Sequence, residues 1–298
     1  MLIRRIRPFL LLLIGIVTFA QSFLSIAATG AKNSAGTVEL LTLHSTIFSN
    51  TRTIRVWLPP EYHRPDSAHR QYPVFYFTDG VATFHGRELG KIAAKLTASG
   101  NIQLTIFVGI DNGGSTRESK HPGSDRANEY LPFPDEFLDP PVPNPHGKLF
   151  PSFFQKEVRP LVESHYRTSG EIGIAGSSYG GTVALYTALQ NPRQFRWLLL
   201  ESPSLYVDHD KLLSLSEAQQ QWPPYVYVGA GTDEGEGDAK KEMVDDVNRL
   251  ASAIHNKSNV CKVIVPGAEH SEDAWRLRLP SALKFLLGNH SCSAPIAP

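Results

Sequence analysis

Apolar positions along the chain fall into two kinds of short run. Val38–His44 and Thr53–Leu58 alternate apolar and polar residues, the period of a strand with one wet face, and predict an antiparallel pair. Val74–Phe77, Leu104–Ile110, Ile172–Ala175, Trp197–Leu200, Tyr225–Val228 and Val263–Val265 are more continuously apolar, as strands covered on both faces are. Helical spacing separates most of them. Gly86–Ala98 carries Leu89, Ile92, Ala93 and Leu96 on one face, and Phe153–Tyr166, Val183–Leu189, Lys240–Ile254 and Trp275–Leu287 follow the same rule. Two leading antiparallel strands, then strand and helix in alternation, predict one α/β domain. Its sheet should be mostly parallel, of about eight strands, with helices on both faces. Asp111–Lys148 has no such period and is rich in Pro, Gly and charge, so it predicts a long loop. It follows a strand end, where open α/β sheets bind ligands.

The first residues follow a different logic. Arg4, Arg5 and Arg7 precede the apolar run Phe9–Ala20, and small residues follow at Ser25, Ala27 and Ala28. That order predicts an export signal over residues 1–28, cut after Ala27 or Ala28, which leaves 29–298 as the folded domain and makes the protein periplasmic or secreted. An uncleaved anchor is the alternative, because Pro8–Ala28 is almost long enough to span a bilayer; any membrane contact is expected through this segment only. Export implies an oxidising compartment, where Cys261 and Cys292, the two cysteines of the chain, are expected to pair and tie the C-terminal tail to the sheet. Among the 298 residues, 29 Lys and Arg balance 29 Asp and Glu, which argues against nucleic acid as a partner. No C-x-x-C pair is present, which excludes a zinc ribbon.

The candidate chemistry starts at Gly176-Ser177-Ser178-Tyr179-Gly180, a G-x-S-x-G sequence between the strand-like Glu171–Ala175 and the helix-like Gly181–Leu189. A sharp strand-to-helix turn of this kind exposes a serine hydroxyl as a nucleophile, and it needs small neighbours, here Gly176, Gly180 and Gly181. The hydroxyl needs a general base. His270, in the loop after the last strand, is in position, whereas His255 lies within a helical stretch and His290 in the tail. The imidazole needs an acceptor from the end of the preceding strand, where Asp233 and Glu234 stand side by side and Glu236, Asp238 and Glu242 are nearby competitors. Tyr179 N–H should supply one oxyanion donor and Val81 N–H the second, with Gly80 letting the loop turn inward after the third strand.

Together these segments resemble the putative-esterase (esterase D-like) family of α/β hydrolases, which includes enterochelin and bacillibactin esterases, feruloyl esterases and the antigen 85 mycolyltransferases. The resemblance is carried by Pro73–Gly80, Val108–Gly113, Arg126–Pro132, Gly176–Gly180 and Gly267–Ser271. It implies an α/β-hydrolase fold, Ser178 as nucleophile, His270 as base, and an acid at the fourth position of Gly231-Thr232-Asp233-Glu234, which ranks Glu234 ahead of Asp233. It also implies either an Arg126–Glu129 ion pair that fixes the long loop or an Arg126 that faces substrate, and Arg117, Lys120 and Arg126 would suit an anionic substrate such as a ferric catecholate. The resulting expectation is an exported serine esterase that cleaves a carboxylic ester of a siderophore-type or other small molecule through an acyl-enzyme. It would need no cofactor and no metal. The alternatives are an acyltransferase of the same fold or an inactive exported binding protein.

Overall fold

A computed structural model describes residues 35–116, 118–136, 141–235 and 237–294. The expected export signal, Arg117 and Glu236 lie outside the described residues. Eight strands form one sheet: β1 (Thr37–Ser45), β2 (Asn50–Leu58), β3 (Tyr72–Phe77), β4 (Ile106–Ile110), β5 (Thr168–Ser177), β6 (Phe195–Glu201), β7 (Tyr225–Asp233) and β8 (Asn259–Glu269). Their spatial order is β1-β2-β4-β3-β5-β6-β7-β8. β1 and β2 run antiparallel in the register Thr37↔Leu58 to Ser45↔Asn50, and β2 is antiparallel to β4. Every pairing from β4 to β8 is parallel. All eight strand-like runs are strands, and the alternating pair is the one at the edge.

The period of two in a strand decides which core each side chain enters. Val74, Tyr76, Ile172 and Ile174 join one apolar cluster, with Val183, Leu185, Val247 and Leu250. Those four come from α5 (Tyr179–Gln190) and α7 (Asp238–Ile254). Phe75, Phe77 and Ala175 point the other way, toward Leu89 and Leu96 of α1 (Leu89–Ala98) and Leu279 and Leu283 of α8 (Glu272–Leu287). Helices therefore cover both faces. Cys261 on β8 is bridged to Cys292 beyond α8, with Cα atoms 5.3 Å apart, so the expected bond is present. Among the described residues no helix is long and apolar enough to cross a membrane.

Two helices lie outside the expected pattern. The segment read as loop holds α2 (Pro122–Tyr130), started by a proline in its first turn. Of its nine residues only Ala127, Glu129 and Tyr130 are buried, so it has no apolar stripe to announce it. α6 (Val207–Ala218) likewise buries few residues and holds Asp208, His209 and Asp210 at positive φ. The stretch expected as one helix at Phe153–Tyr166 is α3 (Phe150–Phe153), a π-helical turn (Phe154–Val158) and α4 (Arg159–His165) in succession.

Candidate active site

Because β3 and β5–β8 are parallel, the residues that follow them gather along one edge of the sheet. Asp79 follows β3, Ser178 follows β5, Ser202 follows β6, Glu234 follows β7 and His270 follows β8. The expected site residues thus come from the ends of neighbouring strands, in the place where α/β sheets carry their sites.

Ser178 sits between β5 and α5 at φ 55° and ψ −132°, a backbone conformation that L-residues rarely adopt. Two neighbours must lack a side chain for this turn to close. A Cβ on Gly176 would lie 2.0 Å from the carbonyl oxygen of Gly180, and one on Gly180 would lie 2.4 Å from Thr78 Oγ1. Ser178 N–H donates to the Glu201 carbonyl at 3.0 Å, which fixes the turn to the neighbouring strand. The Ser178 side chain is only partly covered.

The two candidate acids part company. Glu234 is fully buried, and its Oε2 lies 2.9 Å from Nδ1 of His270, whose side chain is one-third exposed. A carboxylate only accepts hydrogen bonds, so Nδ1 carries the proton and Nε2 is left as the acceptor. Asp233 points elsewhere and pairs with Lys240. Its place at the end of β7 puts adjacent side chains on opposite sides of the strand, so only one of the two can reach the histidine.

The other carboxylate oxygen of Glu234 is held by groups that the pattern of the sequence did not announce. Oε1 accepts from Gly231 N–H at 2.6 Å and from Ser202 Oγ–H at 2.7 Å. Ser202 Oγ in turn accepts from Trp275 Nε1 at 3.0 Å and Arg278 Nη2 at 3.2 Å. Arg278 pairs with Glu201 at 2.7 Å and stands 3.6 Å from Glu234 Oε1. The Trp275 ring meets His270 edge to face with centroids 5.0 Å apart. Burial pushes the Glu201 carboxyl up, and Arg278 pulls it back only in part. Arg278 had one visible signal: it interrupts the buried stripe of Trp275, Leu279, Ala282 and Leu283 on α8.

On the other flank, Asp79 is the residue at positive φ, 54°, so the inward turn expected at Gly80 belongs to Asp79. Gly80 is needed for space instead, since a Cβ there would lie 2.5 Å from Asp111 Oδ1. Val81 follows at the start of the π-helical turn Ala82–Gly86, and Tyr179 is the first residue of α5. Arg126 grips both oxygens of Asp79 at 2.8 Å each. The expected Arg126–Glu129 pair does not form, because Glu129 faces β2 and takes Arg52 at 2.6 Å. Both residues fix the segment after β4, each through a different partner. Arg126 is one-quarter exposed, but its charge is already matched by Asp79, so it is not a free cation beside Ser178. Burial pushes the Asp79 carboxyl up, yet Arg126, Arg87 and Asn112 outweigh it and hold the group below the usual carboxylate range.

The family model described as "Putative esterase" matches residues 45–286. The uncharacterized protein YjcH of Bacillus subtilis (strain 168) is 27% identical over 203 residues, covering 67% of this chain and 74% of that protein. An IroE-like serine hydrolase from Shewanella oneidensis has a similar fold, with a TM-score of 0.67 at 19% identity over 84% of this chain and 80% of that one. So does the siderophore hydrolase EstB from Aspergillus nidulans, with a TM-score of 0.67 at 19% identity over 84% of this chain and 95% of that one. The eight-stranded, mostly parallel sheet with helices on both faces is the α/β-hydrolase fold.

Proposed function

Because this chain belongs to the Putative esterase family, and so to hydrolases acting on esters, we propose that it is an exported serine esterase working through an acyl-enzyme on a small-molecule carboxylic ester. The observation that carries the reading is the buried Glu234 carboxylate 2.9 Å from His270 Nδ1, at the sheet edge where the strained turn presents Ser178. In this reading Ser178 Oγ attacks the ester carbonyl while His270 Nε2 takes its proton. Glu234 holds the imidazole in the tautomer that leaves Nε2 free and stabilises the imidazolium that forms. Tyr179 and Val81 N–H groups hold the oxyanion, each such donor typically contributing about 2.7–4 kcal/mol of barrier lowering. His270 then gives its proton to the departing alkoxide. Water reaches the part-exposed His270, loses a proton to it and attacks the acyl carbonyl; Ser178 leaves with that proton, and acid and alcohol are released.

The Cys261–Cys292 bridge supports export, because such bonds persist in oxidising compartments. A siderophore-type ester is one candidate substrate, supported by the name of the Aspergillus relative. The matched charge of Arg126 gives a ferric catecholate no special attraction. The test is Ser178→Ala, expected to lower p-nitrophenyl acetate hydrolysis by more than about 10³-fold with an unchanged circular dichroism spectrum. Retained hydrolysis, or continued labelling of the variant by a fluorophosphonate, would remove Ser178 from the mechanism. A screen of short-chain, feruloyl and cyclic trilactone esters would then fix the substrate class.

A further inference from the structure

Glu234 carries a negative charge in a fully buried place, and the groups around it sort into pairs. Arg278 of α8 faces Glu201 at the end of β6 at 2.7 Å. Arg87, from the turn after β3, is taken by Glu272 of α8 at 2.7 Å and lies over the Trp275 ring. Lys240 of α7 is taken by Asp233. Tyr227 of β7 is buried beside Glu201 and Arg278, and burial holds its phenol well above the ordinary value, so it stays neutral. Each of these three cations thus has a carboxylate in direct contact. Glu234, the carboxylate that faces His270, stands farther from Arg278, 3.6 Å from Nη2, than Glu201 does at 2.7 Å.

The pairing of Arg278 is the informative one. Its guanidinium is 1% exposed and stands between two buried carboxylates, 2.7 Å from Glu201 and 3.6 Å from Glu234. Were Glu201 absent, the same guanidinium would be the counter-ion of Glu234 and would weaken its pull on the imidazole. With Glu201 present, Arg278 turns Nε to Glu201 and Nη2 to Ser202 Oγ. The Ser202 hydroxyl accepts from Arg278 and Trp275, so its one proton goes to Glu234 Oε1. Gly231 N–H takes the same oxygen. Oε1 is thereby saturated and Oε2 is the oxygen left for His270. Ser202 is held at φ 45° to serve this arrangement, a strained backbone for a non-glycine residue.

We propose that Arg278, Glu201 and Ser202 are positioning residues for the acid of the site: Arg278 orients Ser202 onto one oxygen of Glu234, and Glu201 cancels the Arg278 charge so that the full charge of Glu234 acts on His270. The inference rests on the reading of Glu234 and His270 as acid and base. It predicts opposite electrostatic effects from removing the two members of the ion pair, and also a fall in kcat at unchanged KM when Arg278 keeps its charge but loses its fork, which a salt bridge that only adds stability would not give.

The experiment follows the His270 imidazole by proton NMR titration of the full chain, with the resonance identified by its loss in His270→Gln. Glu201→Gln uncovers the Arg278 charge and is expected to lower the His270 midpoint by roughly 0.5–1 pH unit, because a nearby cation disfavours the imidazolium. Arg278→Met removes the cation and is expected to raise the midpoint by a similar amount. Arg278→Lys keeps the charge but loses the fork, so the midpoint should stay within about 0.3 unit while kcat falls roughly tenfold and KM is unchanged. Movement of both midpoints in the same direction, or no movement in Glu201→Gln, overturns the proposal. If Arg278→Met does not fold, Glu201→Gln and Arg278→Lys still decide it: a fixed midpoint in the first, or unchanged kcat in the second, is fatal. The titration does not depend on turnover. A wild-type chain that hydrolyses no ester would refute the proposed function and still leave the midpoint shifts to be read.

Discussion

The strand that leads into Ser178 runs between two arginine–carboxylate pairs, and they are built differently. On the β3 side, Arg126 holds Asp79 through two bonds of 2.8 Å, Asn112 adds a third at 2.6 Å, and the guanidinium keeps an edge in solvent. On the β6 side, Arg278 reaches Glu201 through one nitrogen at 2.7 Å, both partners are almost wholly buried, and Glu201 Oε1 and Arg278 Nη1 have no hydrogen-bond partner among the described residues. The first pair is satisfied, and Asp79 is held below the usual carboxylate range. The second is incomplete, and burial keeps Glu201 above it. The closed pair fixes a loop; in the open pair Arg278 gives Nη2 to Ser202 Oγ and stands 3.6 Å from Glu234 Oε1. The β6 side should therefore control the acid and base, and the β3 side the shape of the loop that carries Val81.

The sharpest way to break that division is at the acid. Glu234→Gln should lower kcat by roughly 10³–10⁴-fold, in line with the loss of tautomer control in comparable triads. Asp233→Asn, one residue away, should change it less than about threefold, because Asp233 serves Lys240 instead of His270. Steady-state kinetics on both variants read the contrast, and comparable losses in the two would dissolve it. The next effect is on stability. The Cys261–Cys292 bridge closes a segment of separation 31 that contains α8, the helix carrying Trp275 and Arg278. Replacing both cysteines by serine should cost roughly 2–4 kcal/mol by urea unfolding. Activity at room temperature should be retained, since no site residue is removed; lost activity in a folded variant would mean that the β6 side depends on the bridge for its geometry. On the β3 side, Arg126→Met should lower kcat by about 10–100-fold, part of the value of one oxyanion donor, by releasing Asp79 and the loop after β3. The fluorophosphonate reaction should slow in parallel while the His270 titration midpoint stays put. A shifted midpoint would show that the two sides are not separate.

Much of this was legible in the sequence, for physical reasons. Buried parallel strands must be apolar on both faces, so β3–β8 announced themselves, β1 and β2 showed in their alternation, and the G-x-S-x-G sequence between a strand-like and a helix-like run pointed to Ser178. Order after the last two strands pointed to His270 and to Asp233 or Glu234, and the family resemblance ranked Glu234 first. What escaped is what spacing does not encode. The family resemblance implied an Arg126–Glu129 pair as one of two readings, but each residue is drawn to a partner at or beside another strand, Asp79 and Arg52. The inward turn sits on Asp79 because its carboxylate is anchored by Arg126, and Gly80 is glycine for lack of room. α2 itself is held by such polar contacts more than by an apolar face, so periodicity passes over it. Ser202 and Arg278 are remote in sequence and meet only once β6 and α8 are packed.

The smallest effect is a difference of sign in acid. Asp79 has a depressed folded value, so its contacts add stability that is present above the ordinary aspartate value of about 4 and is lost as pH falls through the folded value. Glu201 has a raised folded value, so stability is lost as pH rises from the ordinary glutamate value of about 4.3 through the folded one, and is recovered on acidification. Urea midpoints measured between about pH 3 and 7 should separate them. The stability gap between wild type and Asp79→Asn should shrink as pH drops below about 4. The gap between wild type and Glu201→Gln should instead move in favour of wild type as pH drops toward about 4.3 from above, because the native glutamate is relieved of a buried charge that glutamine never carried. Gaps that follow pH with the same sign in both variants would mean that the two pairs flanking Ser178 are electrostatically alike, and that the open pair is no more strained by its charge than the closed one.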